Sequence, residues 1–344
     1  MISITRYAAC AALALVVCNA HAQSSISFYG QVDLWAGSTR IAGQDRAVSA
    51  LSPAGMQTSY WGFKSIEFLN SDLNAIAAIE GFYRPDTGAL GRSDTDTVFS
   101  RSSWVGLDSK SMGSIRMGRV TNPFYIALLS TNPFVDSFTF SPSLIQTYGV
   151  GRPGGQQILG DTGWSNAIVY TSPRLAGWNA TAIYSAGEVA AQNGSNKFAA
   201  VANYTHDQLR AVIAYQQVRF SLLPGDQGIS FRQQQATLVA ASYDLSWVKA
   251  YGQYLRAKDE RTDSDVSKSI WQTGIAIPVG NGSMLASYAH TSAENFVTTS
   301  RATWTLGYDH RLSPRTDLYF AYMRDAMQGY SNGYTAGLGM RHTF

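Results

Sequence analysis

Six charged side chains early in the chain, Arg40, Lys64, Glu80, Arg84, Arg101 and Arg119, sit in or at the ends of segments where apolar residues take every second position. The chemistry open to such a set is electrostatic rather than covalent. Opposed charges across a wet passage order water and sort solutes by sign, as charged rings do in pores. A plainer reading, that Arg101 and Glu80 only pair across strands, leaves them on the same face. Covalent chemistry finds little support. Of the five histidines, His206 falls in an expected turn, His310 and His342 at strand ends, and His290 alone on an alternating face. No HExxH, GxSxG or P-loop pattern occurs. Asp259, Asp263 and Asp265 lack the spacing of a calcium loop. No catalytic residue, metal or cofactor is therefore expected.

These charges need elements to carry them, and the first question is where the chain goes. Arg6, an apolar run from Ala8 to Cys18, and Ala20-His21-Ala22 fit an export signal with cleavage after residue 22. The run is too short to span a membrane as a helix, which takes about 20 apolar residues. Cys18 raises the alternative of a lipid anchor, but Val17 stands where that signal needs a small residue. Cleavage removes both cysteines and leaves a chain of residues 23–344. That excludes disulfides, thiolate metal sites and cysteine nucleophiles, and suits an oxidising compartment. With Arg6 gone, 25 basic residues face 23 acidic ones, too balanced for nucleic-acid binding.

Composition then narrows the fold. The chain holds 19 Tyr, 15 Phe, 8 Trp and 31 Gly, with only 14% charged residues. No later run reaches the length of an apolar helical span. Alternation is nearly continuous: Ala302, Trp304, Leu306 and Tyr308 share one face, against Arg301, Thr303, Thr305, Gly307 and Asp309 on the other. A soluble periplasmic β-protein would also alternate, but its polar face would not carry so many Arg, Asp, Gln and Thr. The pattern predicts an all-β fold, a 16-stranded antiparallel transmembrane barrel, with strands near 26–38, 57–67, 73–83, 98–108 and 114–121 and onward to 334–344. Short and long links alternate along it. In 98–108, Arg101 shares a parity with Val105 and Leu107, which predicts a bulge.

One link is far longer than the rest. Residues 121–161 carry no strand alternation yet hold Phe124, Tyr125, Leu128, Leu129, Phe134, Phe138 and Phe140. Structureless loops beyond about 12–15 residues are usually functional or disordered. So many apolar side chains need a dry surface, and the inside of the barrel wall offers one. The expected arrangement is an inward-folded third loop that narrows the passage, with Asp136 as its one charge between Thr121 and Val150.

Ordered local patterns add to this reading. They are Ser27-Phe28-Tyr29-Gly30, Trp61-Gly62-Phe63-Lys64, Ile79-Glu80-Gly81-Phe82, Trp104-Val105-Gly106-Leu107, Met117-Gly118-Arg119, Asn166 through Pro173, Leu312 through Tyr319, and a terminal Arg341-His342-Thr343-Phe344. In this order they resemble the general porins of Gram-negative β-proteobacteria, of the neisserial and Bordetella/Burkholderia type, along essentially the whole chain. The resemblance implies an outer-membrane homotrimer among lipid and lipopolysaccharide, passive diffusion of small hydrophilic solutes and ions, and Phe344 as a signal for barrel insertion. It also implies that basic residues of the early strands face the inward loop across an eyelet. With Arg40, Lys64, Arg84, Arg101 and Arg119 against Glu80 and Asp136, a modest anion preference is expected. Trp164 stands where the family often has a base. A substrate-specific channel, or a barrel with an enzymatic or adhesive role, remains the alternative.

Overall fold

The computed structural model describes residues 24–149, 158, 160–188, 195–220, 231–295 and 300–344; the expected export signal, 1–22, lies outside them. In chain order the strands are β1 (Ser25–Arg40), β2 (Val48–Pro53), β3 (Tyr60–Phe68), β4 (Leu73–Arg84), β5 (Ala89–Leu90), β6 (Ser102–Ser109), β7 (Gly113–Thr121), β8 (Gly163–Thr171) and β9 (Trp178–Ser185). They continue as β10 (Lys197–His206), β11 (Leu209–Arg219), β12 (Phe231–Asp244), β13 (Lys249–Arg261), β14 (Val266–Val279), β15 (Gly282–Glu294), β16 (Ser300–Ser313), β17 (Thr316–Met327) and β18 (Gly333–Thr343). All but β2 and β5 form one ring of 16 antiparallel strands, closed where β1 pairs with β18. Full closure leaves no unpaired sheet edge, a necessity in lipid, where a bare backbone group has no water partner.

The period of two decides which side chains meet which solvent. On the outer face Ile213, Val239, Leu306, Phe320 and Leu338 are each more than half exposed. An apolar surface of that extent is intolerable in water and natural in a bilayer. Aromatic pairs band it: Trp178 with Tyr204 at 4.8 Å, Trp271 with Tyr288 at 5.2 Å, and Trp304 with Tyr322 at 5.5 Å between ring centres. Among the described residues no helix is long and apolar enough to cross a membrane.

The strand next to β1 is broken. β2 pairs with residues 34–39 of β1, and β3 with residues 25–31. Residues 54–59 between them leave the ladder, and one carboxylate gathers the freed donors. Asp33 Oδ1 accepts from the Gly55 amide at 2.9 Å and the Tyr319 hydroxyl at 2.6 Å. Its Oδ2 accepts from the Met56 and Gln57 amides at 2.9 and 2.8 Å. Four donors on two oxygens satisfy a carboxylate that is fully buried.

The bulge expected within 98–108 is absent. β6 begins only at Ser102, so Arg101 precedes the strand and the parity conflict vanishes, and β4 pairs with β6 without a register shift. An irregularity near this part of the chain lies between β7 and β8 instead, where Arg119 faces two residues, Ser165 and Asn166. Asn166 has φ +54° and Gly118 φ +135°, which lets the ladder slip by one residue.

The long segment after β7 is structured. Helix α1 (Pro123–Leu129) starts at Asn122, whose side chain accepts from the Phe124 amide, and helix α2 (Pro142–Tyr148) starts at Ser141, which accepts from Leu144. Each has proline at its first turn, where the missing N–H costs nothing. The segment packs on lumen-facing side chains of distant strands. Asn122 donates to Gln216 of β11 at 2.9 Å, and Gln253 of β13 donates to the Leu128 carbonyl at 2.7 Å. Gln146 donates to Thr303 of β16 at 2.9 Å and accepts from Thr291 of β15 at 2.7 Å. Apolar contacts fill the gaps. Phe124, Leu128 and Leu144 join Val201, Ala214, Leu238 and Ile270, while Phe134, Phe140 and Ile145 join Trp35, Tyr319 and Met323. The broken strand takes part too, since Ser137 donates to the Gly55 carbonyl and Thr139 to that of Ala54.

Candidate pore constriction

Glu80 is the best-defined of the expected site residues. It lies on the lumen face of β4, is buried, and accepts from Tyr29 and Arg101 at 2.5 Å each. The Arg101 guanidinium also covers the Tyr60 ring at 3.9 Å, a stacking that suits its flat, weakly hydrated cation. Opposite stands Asp136 in the long segment, bonded by the Tyr125 hydroxyl. Burial pushes the Asp136 carboxyl up to about 6, against the opposing pull of Tyr125 and of Arg101. Arg101 and Asp136 act on each other electrostatically without forming an ion pair.

The other expected residues divide. Arg84 is on the lumen face and pairs with Asp94 at 2.5 Å. Arg119 donates to the Ser100 carbonyl at 2.6 Å, to Ser165 at 2.9 Å and to Asp161 at 3.1 Å. Lys64 has lumen parity, but Gly62, not Lys64, stands opposite Glu80, so Lys64 lies a step toward the short-turn end. Arg40 does not face the lumen. The strand period sets it with Val32, Leu34 and Ala36 on the outer face, where it lies 5.5 Å from the Tyr334 ring and donates to the Asn332 carbonyl. Phe344 continues the seam: its amide and carbonyl pair with Gly30, and its ring stacks on Phe28 at 5.4 Å.

Arg92 was not expected. It follows β5 in a loop without alternation, and it binds Asp96 at 2.9 Å and Asp161 at 3.1 Å. Burial pushes the Asp161 carboxyl up, but Arg92, the Thr162 amide and Arg119 outweigh it and hold it below the usual carboxylate range. Asp96 is likewise held low by Arg92 despite burial. Lys197 and Arg219 were missed as well, although the parity of β10 aims Lys197 inward with Ala199 and Val201. The Lys197 ammonium lies 5.9 Å from the ring of the fully buried Trp164, so β10, two strands along from β8, brings a cation to the place where Trp164 has none.

Between the long segment and the wall lies a cavity of about 970 Å³, bordered among the described residues by Arg84, Arg92, Arg119, Lys197 and Arg219 and by two carboxylates, Asp96 and Asp161. On the far wall the charges are matched in buried pairs, Arg301 with Asp325 and Lys268 with Asp259, each at 2.6 Å. Among the described residues no group of His, Cys, Asp or Glu is arranged to hold a metal ion.

A closed barrel with an apolar outer band, a wet charged lumen and a segment packed across it defines an outer-membrane channel. The sequence matches the Gram-negative porin family over residues 9–329, and the chain belongs to that family. It is 28% identical over 357 aligned residues to Outer membrane porin protein 32 of Delftia acidovorans, across 94% of this chain and 95% of that protein. An outer membrane porin protein of Bordetella pertussis is 23% identical over 387 residues, across 94% and 96%. In fold the chain is similar to the anion-selective porin from Comamonas acidovorans, with a TM-score of 0.79 at 22% identity over 93% of this chain and all of that one. OmpT of Vibrio cholerae in a trimer form gives a TM-score of 0.70 at 13% identity over 93% and 99%.

Proposed function

We propose that this porin is a general diffusion channel for small hydrophilic solutes and ions, modestly selective for anions, working as a homotrimer among outer-membrane lipid and lipopolysaccharide. The described part of residues 121–161, which leaves out 150–157 and 159, forms its constriction. The observation that carries the anion preference is the surplus of five bases over two acids around the cavity beside that segment. In a narrow lumen between low-dielectric walls such a surplus enriches the opposite ion. The preference is modest because Arg84, Arg92 and Arg119 are each paired and because salt screens beyond about 8 Å at 0.15 M. The anion-selective porin of Comamonas acidovorans supports the sign, and the trimer form of the Vibrio protein supports the assembly.

Reversal potential in a potassium chloride gradient tests the reading. Wild type prefers chloride, and Arg92→Glu moves the ratio toward potassium. A wild type that selects potassium refutes it. For the assembly, unboiled protein migrates as an oligomer on a detergent gel and collapses on heating; monomer mass in detergent by light scattering refutes the trimer.

A further inference from the structure

A second recess, of about 220 Å³, lies beneath helix α1 at the short-turn end of the lumen, against β7 to β11. Three guanidiniums border it: Arg116 from β7, Arg174 from the turn before β9, and Arg210 from the start of β11. Among the described residues no carboxylate borders it, and Asn179, Asn203 and Thr205 supply neutral polar groups between the arginines. The bases around the larger cavity differ in that Arg84, Arg92 and Arg119 each hold an aspartate. Arg116, Arg174 and Arg210 form no ion pair among the described residues. Arg116 lies 5.4 Å from the Trp104 ring, and its Nε is buried with no hydrogen-bond partner. A buried donor without an acceptor carries a desolvation cost that an incoming oxyanion removes. Asp108 acts on Arg116 at a distance, and Asp244 and Arg210 both act on Tyr251, but neither acid lines the recess.

We propose that this recess is an oxyanion site on the periplasmic side of the constriction, which holds a phosphate-sized anion between the eyelet and the periplasm. Planar guanidiniums match tetrahedral and carboxylate oxygens in a way a lysine does not. The proposal rests on the anion-selective reading and adds to it a place where anions pause. Such a site makes inorganic phosphate a partial blocker of chloride current, most effective from the short-turn side.

The experiment measures chloride conductance in planar bilayers with inorganic phosphate added to one side at a time. Wild type shows saturable block, with the lower half-block concentration on the short-turn side. Arg116→Gln and Arg210→Gln each raise that concentration about threefold, the worth of one partly solvated charge contact. Arg210 is exposed, so its replacement leaves the barrel assembled even if Arg116→Gln does not; heat-dependent gel migration checks both. An anion-selective wild type that phosphate does not block, or whose half-block neither variant moves, overturns the site alone. A wild type that selects potassium overturns the anion reading and the site with it.

Discussion

Replacing Asp33 should loosen the constriction from a distance. Its two carboxylate oxygens hold the Gly55, Met56 and Gln57 amides and the Tyr319 hydroxyl. The same stretch of backbone then receives Ser137 and Thr139 from the long segment. Hydrogen bonds to an ionised acceptor contribute about 1.5–3 kcal/mol each. Asp33→Ala removes four, but the unsolvated carboxylate is removed as well and lumen water reaches some of the freed donors. The balance is a loss of about 3–5 kcal/mol, the usual range when one partner of a buried charged network is deleted. Asp33→Asn keeps one accepting oxygen and turns an amide NH₂ toward the other two donors, so it loses about 3 kcal/mol. Both variants should lower the temperature at which the folded band is lost on a detergent gel, Ala more than Asn. In bilayers both should raise open-channel current noise, because residues 137–139 lose a fixed anchor. Unchanged noise together with an unchanged transition temperature for Asp33→Ala would refute the anchoring.

Three further outcomes follow from the same geometry. The Asp136 carboxyl, pushed up to about 6 by burial, loses its negative charge as pH falls through that value, so anion preference should rise between pH 7 and pH 5. Asp136→Asn should hold the high ratio throughout, and a pH response that survives it would assign the titration elsewhere. Deleting residues 130–141 should raise single-channel conductance and admit larger solutes; unchanged values would remove the segment from the permeation path. Removing Phe344 breaks two backbone hydrogen bonds to Gly30 and a ring contact at the barrel seam. It should reduce the amount of folded protein reaching the outer membrane, measured as heat-modifiable band per cell.

The barrel was legible because lipid and water impose opposite demands on alternate residues, and a chain that satisfies both must write the period out. Ala302 to Tyr308 is such a case. Legibility ended where a different rule took over. Val48–Pro53 has too few residues to display a period, so β2 was read as loop. Trp35 has lumen parity and would look misplaced by the lipid rule alone, yet it is buried against Phe140 at 5.6 Å. Arg40 was misassigned by chemistry when parity already set it with Leu34. Asn122-Pro123 and Ser141-Pro142 are readable helix starts, masked by the missing strand alternation around them. Arg92 could not be found from local pattern alone: Asp96 lies four residues on in the same loop, but Asp161, the partner that ties it to the lumen wall, meets it only once the barrel closes.

The long segment also has a mechanical consequence. It is fixed to β11 and β13 on one side, to β15 and β16 on another, and to the broken strand beside β1. A hollow cylinder resists stretching along its hydrogen bonds but flattens easily when squeezed from the side. Three attachments spread around the circumference make the segment a cross-brace, so the bore keeps its round section under lateral bilayer pressure. Shortening the brace should therefore make the channel sensitive to membrane tension as well as wider.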